Sequence, residues 1–144
     1  MKLSLGVTWG TLLPASVVLS WGPCNDKAVA APLLDKTRAV VQPKMLFADA
    51  GYDAEWVHRY CREDWQVTSW IPPAVHRQDG TVNGEYRSKM TSRRLTRNGY
   101  GKRWMVESFI SGLKRTTGSM LAARKKSSLF VEAALRVLAY AIRR

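Results

Sequence analysis

Residues 43–53 read Pro43-Lys44-Met45-Leu46-Phe47-Ala48-Asp49-Ala50-Gly51-Tyr52-Asp53, and the reading of this stretch decides the fold. Met45 to Ala48 is a short apolar run behind a proline. It predicts a strand buried on both faces, hence central in its sheet. Asp49 stands at the carboxyl end of that strand, and sites in open α/β sheets lie beyond the carboxyl ends of their strands. Asp is also common there merely as a turn or cap residue. Asp53 can cap a following helix, with Trp56, Val57, Tyr60 and Cys61 as its apolar stripe. Trp65 to Ile71 reads as the next strand, stopped by Pro72-Pro73.

Upstream, Lys2 to Trp9 alternates. Lys2, Ser4, Gly6 and Thr8 fall on one side, and Leu3, Leu5, Val7 and Trp9 on the other, a period of two that predicts a half-buried strand. Gly10 makes a turn, residues 11–21 resume the extended pattern, and Gly22-Pro23 ends the resulting hairpin. Asp26 caps a helical turn, and Pro32 starts the main helix, to about Val40. A rival reading is a secretory signal cleaved after Ala28-Val29-Ala30. Pro14, the interspersed Ser and Thr residues, and the charges of Asp26 and Lys27 weigh against it.

Downstream, Ala74 to Gly99 is polar and basic and predicts a long loop or irregular arm, a kind of segment that often carries function. A helix is expected from about Lys102 to Thr116, ended by Gly118. A last helix is expected from Ser128 to about Arg143, burying Leu129, Phe130, Ala134, Leu135, Leu138 and Ile142. Strands interleaved with helices give an α/β class, a mixed sheet with helices packed on it.

The chain has 144 residues, 46% of them hydrophobic, a formal net charge of +12 and two cysteines. That length suits one domain with its own core. No apolar stretch reaches the ~18 residues of a membrane-spanning helix, and Cys24 and Cys61 are too few for a disulfide scaffold. The charge is unevenly placed. Residues 1–76 hold seven Lys/Arg and seven Asp/Glu, whereas residues 77–144 hold sixteen and four. A half-chain so biased suits a polyanion, nucleic acid first, because phosphate neutralisation dominates such binding. A solvated basic surface and an anionic membrane surface are the other readings.

The second carboxylate of interest is Glu107. On a continuous helix Tyr100, Arg103, Glu107 and Lys114 fall within an arc of about 60°. Val106, Phe109 and Leu113 lie around the other side. One stripe packs on the core; the other presents a phenol, a guanidinium, a carboxylate and an ammonium together. An Arg103–Glu107 salt bridge at i,i+4 explains that pair, but not Tyr100 or Lys114.

The spacing of Tyr100, Arg103, Glu107 and Lys114 resembles the tyrosine–arginine–glutamate–lysine signature of bacterial insertion-sequence DDE transposases. Phe47-Ala48-Asp49-Ala50-Gly51-Tyr52-Asp53 is similar to that family's second-aspartate motif. Lys2-Leu3-Ser4-Leu5 and Asn25-Asp26 also resemble the family, so the likeness covers nearly the whole chain. It implies a ribonuclease-H-like fold and DNA transposition, by metal-dependent phosphodiester cleavage and strand transfer at insertion-sequence ends. Three carboxylates would hold two divalent metals, Mg²⁺ or Mn²⁺. By this match Asp49 is the second acid and Glu107 the third. Tyr100, Arg103 and Lys114 would contact transposon-end DNA. The arm from His76 to Lys102, with Arg77, Arg87, Lys89, Arg93, Arg94, Arg97 and Lys102, would continue the DNA track.

The family's first aspartate sits in the sheet's first strand, upstream of the segment matched by Lys2. Asp26 and Asp35 are the acids before Asp49, and both match positions around the first helix, where the family places no metal ligand. The expectation is therefore a partial transposase catalytic domain over residues 1–144, with a neutral sheet half (1–76) and a basic arm and catalytic-helix half (77–144). Its sheet would lack the first strand and expose an edge or gap. A decayed remnant, a split reading frame and a late start all fit. Such a chain is expected to bind DNA weakly and not to cut it alone. A second polypeptide carrying the first Asp would restore cleavage. A homodimer on DNA and a cytoplasmic, nucleoid-associated place are further implications of the likeness. The alternative function is a non-catalytic basic nucleic-acid-binding module, which needs neither Asp49 nor Glu107. A zinc site from Cys24, His58, Cys61 and His76 fits no common spacing, and no local signature of a serine or cysteine nucleophile is present.

Overall fold

The computed structural model describes residues 1–22, 24–74 and 80–144. Pro23, His76 and Arg77, named above, lie outside the described residues. Strand β1 (Lys2–Val7) pairs antiparallel with β2 (Pro14–Ser20), Leu5 opposite Val17. The hairpin is as the alternation predicts. Gly10 takes a φ of 92° at its turn, the left-handed region that favours glycine.

Both faces of the hairpin are covered, not one. Leu5 packs with Phe109, Leu113 and Val137 from the C-terminal helices. The face carrying Ser4, Gly6 and Ser16 lies against α1 (Asp26–Arg38). Small side chains allow that approach. A Cβ on Gly6 would come within 2.6 Å of Ser16 Oγ and 3.0 Å of Thr37 Oγ1. The hydroxyls of Ser16 and Thr37 share a 2.6 Å hydrogen bond, which satisfies polar groups that burial strips of water.

Helix α1 starts earlier than the sequence suggests. Asn25, not Asp26, is its cap, accepting from the Lys27 N–H at 3.2 Å. Pro32 lies inside it, on the exposed side. The burial of Val29, Ala30, Leu33 and Leu34 outweighs the hydrogen bond that the proline removes.

Strand β3 (Met45–Phe47) pairs in parallel with β4 (Thr68–Trp70), Leu46 opposite Ser69. The crossover is a 3₁₀ turn (Ala50–Tyr52), helix α2 (Glu55–Arg59) and a π-helical turn (Tyr60–Asp64). Val57, Cys61, Trp65, Val67 and Ile71 form its core with Ala30 and Leu34 of α1, while Trp56 of the expected stripe is 42% exposed. Ala54 caps α2; Asp53 is drawn away by a buried ion pair described below.

Two expectations are corrected here. Among the described residues the strands form two separate two-stranded sheets, β1–β2 and β3–β4, not one mixed sheet. β3 is accordingly an edge strand, not a central one. A cleft separates the free edges of β1 and β3. The sheets are held together from outside, by α1 on one face and by the segment leading into α4 on the other.

The basic arm is less irregular than expected. It holds a 3₁₀ turn (Arg87–Lys89) and helix α3 (Ser92–Arg97), capped by Thr91. A further 3₁₀ turn (Tyr100–Arg103) leads into α4 (Trp104–Thr117), which ends at Gly118, and α5 (Lys126–Arg143) follows. The face of α5 is also corrected. Ala133 and Val137 are buried, whereas Leu135, Leu138 and Ile142 are exposed. The cause is the crossing with α4, where Tyr140 packs edge-on to Phe109 at 5.0 Å and its phenol fills the space over Gly112.

Candidate active site at the end of strand β3

Asp49 follows Ala48, whose N–H donates to the Trp70 carbonyl at 3.3 Å where the pairing of β3 with β4 ends. The Asp49 carboxylate caps the next 3₁₀ turn, accepting from the Gly51 N–H at 3.0 Å. Ala48 also anchors the other half of the site. The Tyr100 hydroxyl donates to the Ala48 carbonyl at 3.1 Å, and the Tyr100 ring packs edge-on to Phe47 at 6.5 Å. Burial pushes the Tyr100 phenol above its ordinary range. The Arg103 guanidinium opposes this, and the negative charges of Asp49 and Glu107 add to it. The phenol therefore stays a donor.

Arg103 lies over the Tyr100 ring at 5.9 Å and reaches Glu107 at 2.7 Å. The Glu107 side chain is 60% exposed. An exposed i,i+4 pair contributes only a few tenths of a kcal/mol to the fold. The structure thus joins Tyr100, Arg103 and Glu107 in one cluster, with Asp49 near enough for its charge to act on the Tyr100 phenol. Lys114 is exposed on α4, about 10 Å further along its axis.

The arm divides. Arg93, Arg94 and Arg97 are exposed on α3. Lys102 is exposed too, its ammonium 4.3 Å from the centre of the Trp9 ring, a cation–π contact. Arg87 is removed from the expected track. Its guanidinium clamps Asp53, with Nη2 at 2.6 Å and Nε at 2.8 Å from the carboxylate oxygens. Asp53 is wholly buried and also accepts from the Ala74 N–H at 2.8 Å. This demand for compensation of a buried charge draws Asp53 away from the capping role.

Sequence reasoning took Asp26 only as a helix cap and did not single out Lys2. Lys2 Nζ lies 2.6 Å from Asp26 Oδ1, which raises the lysine's proton affinity. A Cβ on Gly51 would meet Asp26 Oδ2 at 2.6 Å and Asp49 Oδ1 at 3.0 Å. Asp26 therefore flanks Asp49 across a glycine that leaves room for both. The signal was the alternation of β1, which sets Lys2 on the same side as Ser4 and Gly6, the side that α1 covers.

Among the described residues, the zinc candidates Cys24, His58 and Cys61 form no metal-binding cluster. Cys61 is fully buried, its thiol pushed up to about 12 by burial, and Cys24 is half-buried elsewhere. His58 Nδ1 shares a 2.8 Å hydrogen bond with Ser69 Oγ. Burial, reinforced by the Arg62 charge, lowers His58 to about 4. At 4.0 Å from Asp53 it is neutral, so the contact is not an ion pair.

A family model, the transposase DDE domain, matches residues 1–142. The chain belongs to the transposase DDE domain family. No curated protein and no solved structure matches it. Membership supports a transposition-related function, and it implies DNA as partner and divalent metal as cofactor. The mixed α/β architecture agrees with such a domain. Among the described residues, no three carboxylate, imidazole or thiolate side chains gather into one metal site. The donors that flank Tyr100, Asp49 and Glu107, are of the hard oxygen type that Mg²⁺ prefers. Among the described residues no helix is long and apolar enough to cross a membrane.

Proposed function

We propose that this chain is part of an insertion-sequence transposase, with a ribonuclease-H-like catalytic domain in which Asp49 and Glu107 are metal-binding acids. The observation that carries the reading is the Tyr100 hydroxyl bonded to the Ala48 carbonyl. That one bond fastens the helix bearing Arg103 and Glu107 to the strand end bearing Asp49. Mg²⁺ or Mn²⁺ held there would supply charge stabilisation for phosphodiester cleavage and strand transfer. Arg103 and Lys114 suit transposon-end phosphates, and Arg93, Arg94, Arg97 and Lys102 extend the contact along the arm. Tyr100 positions Arg103 through its ring. The setting is chromosomal DNA in the bacterial nucleoid, with two copies of the chain on one DNA complex.

Two carboxylates leave a two-metal centre incomplete, and Asp26, which stands beside Asp49, is held by the Lys2 ammonium. The chain alone therefore binds DNA without cutting it, and a second polypeptide bearing a further acid restores cleavage. The test is an end-cleavage assay with Mg²⁺ or Mn²⁺ on DNA carrying the element's ends. Efficient 3′-end cleavage by the chain alone would overturn the proposal. A second reading, a non-catalytic nucleic-acid-binding module, draws support from the three exposed arginines of α3, which that chemistry does not need. Glu107→Ala separates the two: a module keeps its affinity and has no cleavage to lose, whereas a complemented enzyme loses its cleavage.

A further inference from the structure

Helix α3 carries three exposed arginines, Arg93, Arg94 and Arg97, yet it has six residues and a single buried side chain, Leu95. A helix that short does not hold itself in water, so its orientation is set by what flanks it. On the carboxyl side the anchor is Tyr100, bonded to the Ala48 carbonyl. On the amino side it is the turn of residues 84–89, and that turn is fastened by acids.

The chief of them is Glu55, in the first turn of α2. Its Oε1 accepts from the Tyr86 N–H at 3.0 Å and its Oε2 from the Arg87 N–H at 3.2 Å. Successive backbone N–H groups that converge on one anion form a nest, here filled by the chain's own carboxylate. Burial works to raise the proton affinity of Glu55, and the N–H groups of Tyr86, Arg87 and Glu85 together outweigh it, so the group is more acidic than an ordinary glutamate. Hydrogen bonds to an ionised acceptor are roughly twice as strong as neutral ones. Gly84 makes the seat possible. Its φ is 121°, and a Cβ there would collide with Glu55 Oε2. Two further acids of the same crossover assist. Asp53 holds the Arg87 side chain, and Glu63 accepts from the Tyr86 hydroxyl at 3.0 Å. The seat is passed on to α3. Met90, which follows the turn, is buried with Leu95 and Trp70, and Phe47 and Tyr100 pack against the same cluster. Arg94 Nη1 donates back to the Lys89 carbonyl at 3.4 Å. Glu55 therefore stands at one end of a packed path whose other end is the candidate active site.

We infer that Glu55 is a positioning residue for DNA binding, an acid that strengthens the hold on a polyanion because it seats residues 84–90 and so aims the arginines of α3. The inference rests on the reading above that DNA is the ligand of those arginines. It opposes simple electrostatics. Removing this negative charge raises the formal net charge above +12, which by charge alone tightens binding to phosphates. Loss of the seat weakens it.

The test uses the whole chain and a short DNA duplex, with fluorescence anisotropy over a salt series and hydrogen exchange of the free protein. Glu55→Gln should weaken binding at low salt by on the order of tenfold, and lessen the slope of log K against log salt by up to about 0.9 for each phosphate no longer met. Gly84→Ala pushes the turn off the carboxylate without changing any charge, and should give the same loss. In a chain that already carries Arg93→Gln, Arg94→Gln and Arg97→Gln, Glu55→Gln should have no further effect, because α3 then has nothing to aim. The Tyr86 and Arg87 amides should exchange faster in both single variants, with β1 and β2 as in the parent. Tighter binding by Glu55→Gln would show an effect of charge alone and overturn the inference. Unchanged affinity with a lowered urea midpoint would make Glu55 a stabilising residue only, and would overturn it too. So would an equal loss in the chain without the α3 arginines. A parent chain that binds no DNA overturns the nucleic-acid reading and this inference together. Unaltered exchange at Tyr86 and Arg87 in Glu55→Gln, with DNA binding by the parent intact, overturns the inference alone.

Discussion

His58 is a fully buried imidazole whose Nδ1 is satisfied by Ser69 and whose Nε2 has no hydrogen-bond partner. Folding lowers its proton affinity from 6.5 to about 4. As pH falls, the unfolded chain takes up this proton first. The stability that neutral His58 contributes is complete above pH ~6.5 and is lost as pH falls toward 4, by at most about 3 kcal/mol. Urea midpoints measured from pH 7 to pH 4 should fall across that window, and His58→Gln should flatten the limb. Arg87 is the second residue with a large expected effect. Arg87→Met leaves the buried Asp53 carboxylate without its counter-charge and should cost about 3–5 kcal/mol in urea unfolding. Pairing it with Asp53→Asn should recover much of the loss, the signature of a coupled pair. Neither residue was legible in the sequence as a structural anchor. The partners stand 34 positions apart, and Arg87 looks like any other basic residue of the arm.

At the scale of elements, what the sequence discloses depends on whether the deciding contact is local. The β1–β2 hairpin was legible because a period of two and a glycine turn lie within one stretch. The association of Arg103 with Glu107 was legible because helical spacing fixes it. The buried face of α5 was not. Ala133, Val137 and Tyr140 make one apolar stripe, and Val131, Leu135, Leu138 and Ile142 make another, so periodicity alone cannot choose. The choice is made by Gly112 of α4, which admits Tyr140. Two substitutions check the orientation. Leu138→Lys, at a residue 54% exposed, should change stability by no more than about 0.5 kcal/mol. Phe109→Ala, at a residue with no exposed surface, should cost about 3–5 kcal/mol. Chemical unfolding of both variants gives the comparison. Asp26 beside Asp49 belongs to the same class of hidden contact, because only the docking of α1 on β1 brings them together.

For the molecule as a whole, the net charge of +12 implies binding to polyanions that weakens steeply with salt. The distribution sharpens this. The exposed arginines of α3 and the Tyr100–Glu107 segment adjoin in sequence, so the basic surface leads into the site. Replacing Arg93, Arg94 and Arg97 together by Gln should weaken DNA binding at low salt. It should also lessen the slope of log K against log salt by up to about 0.9 for each phosphate no longer neutralised. Fluorescence anisotropy over a salt series measures both, with the unfolding midpoint unchanged. The class of fold was legible from the order of elements. The division of its strands into two sheets was less so, since pairing between distant strands leaves no mark in the local pattern.

The two cysteines give the chain a built-in chemical clock. Cys61 is sealed in the core of the β3–β4 half, its thiol pushed up to about 12, while Cys24 is partly accessible near the end of the hairpin. An alkylating reagent at neutral pH meets thiolate only as fast as a thiol is both exposed and ionised. Cys24, the more accessible of the two, should therefore react first in the native protein, and Cys61 only when the turn Tyr60–Asp64 lifts from the core. The interval between the two reactions times the opening of that half of the molecule, with no substitution needed.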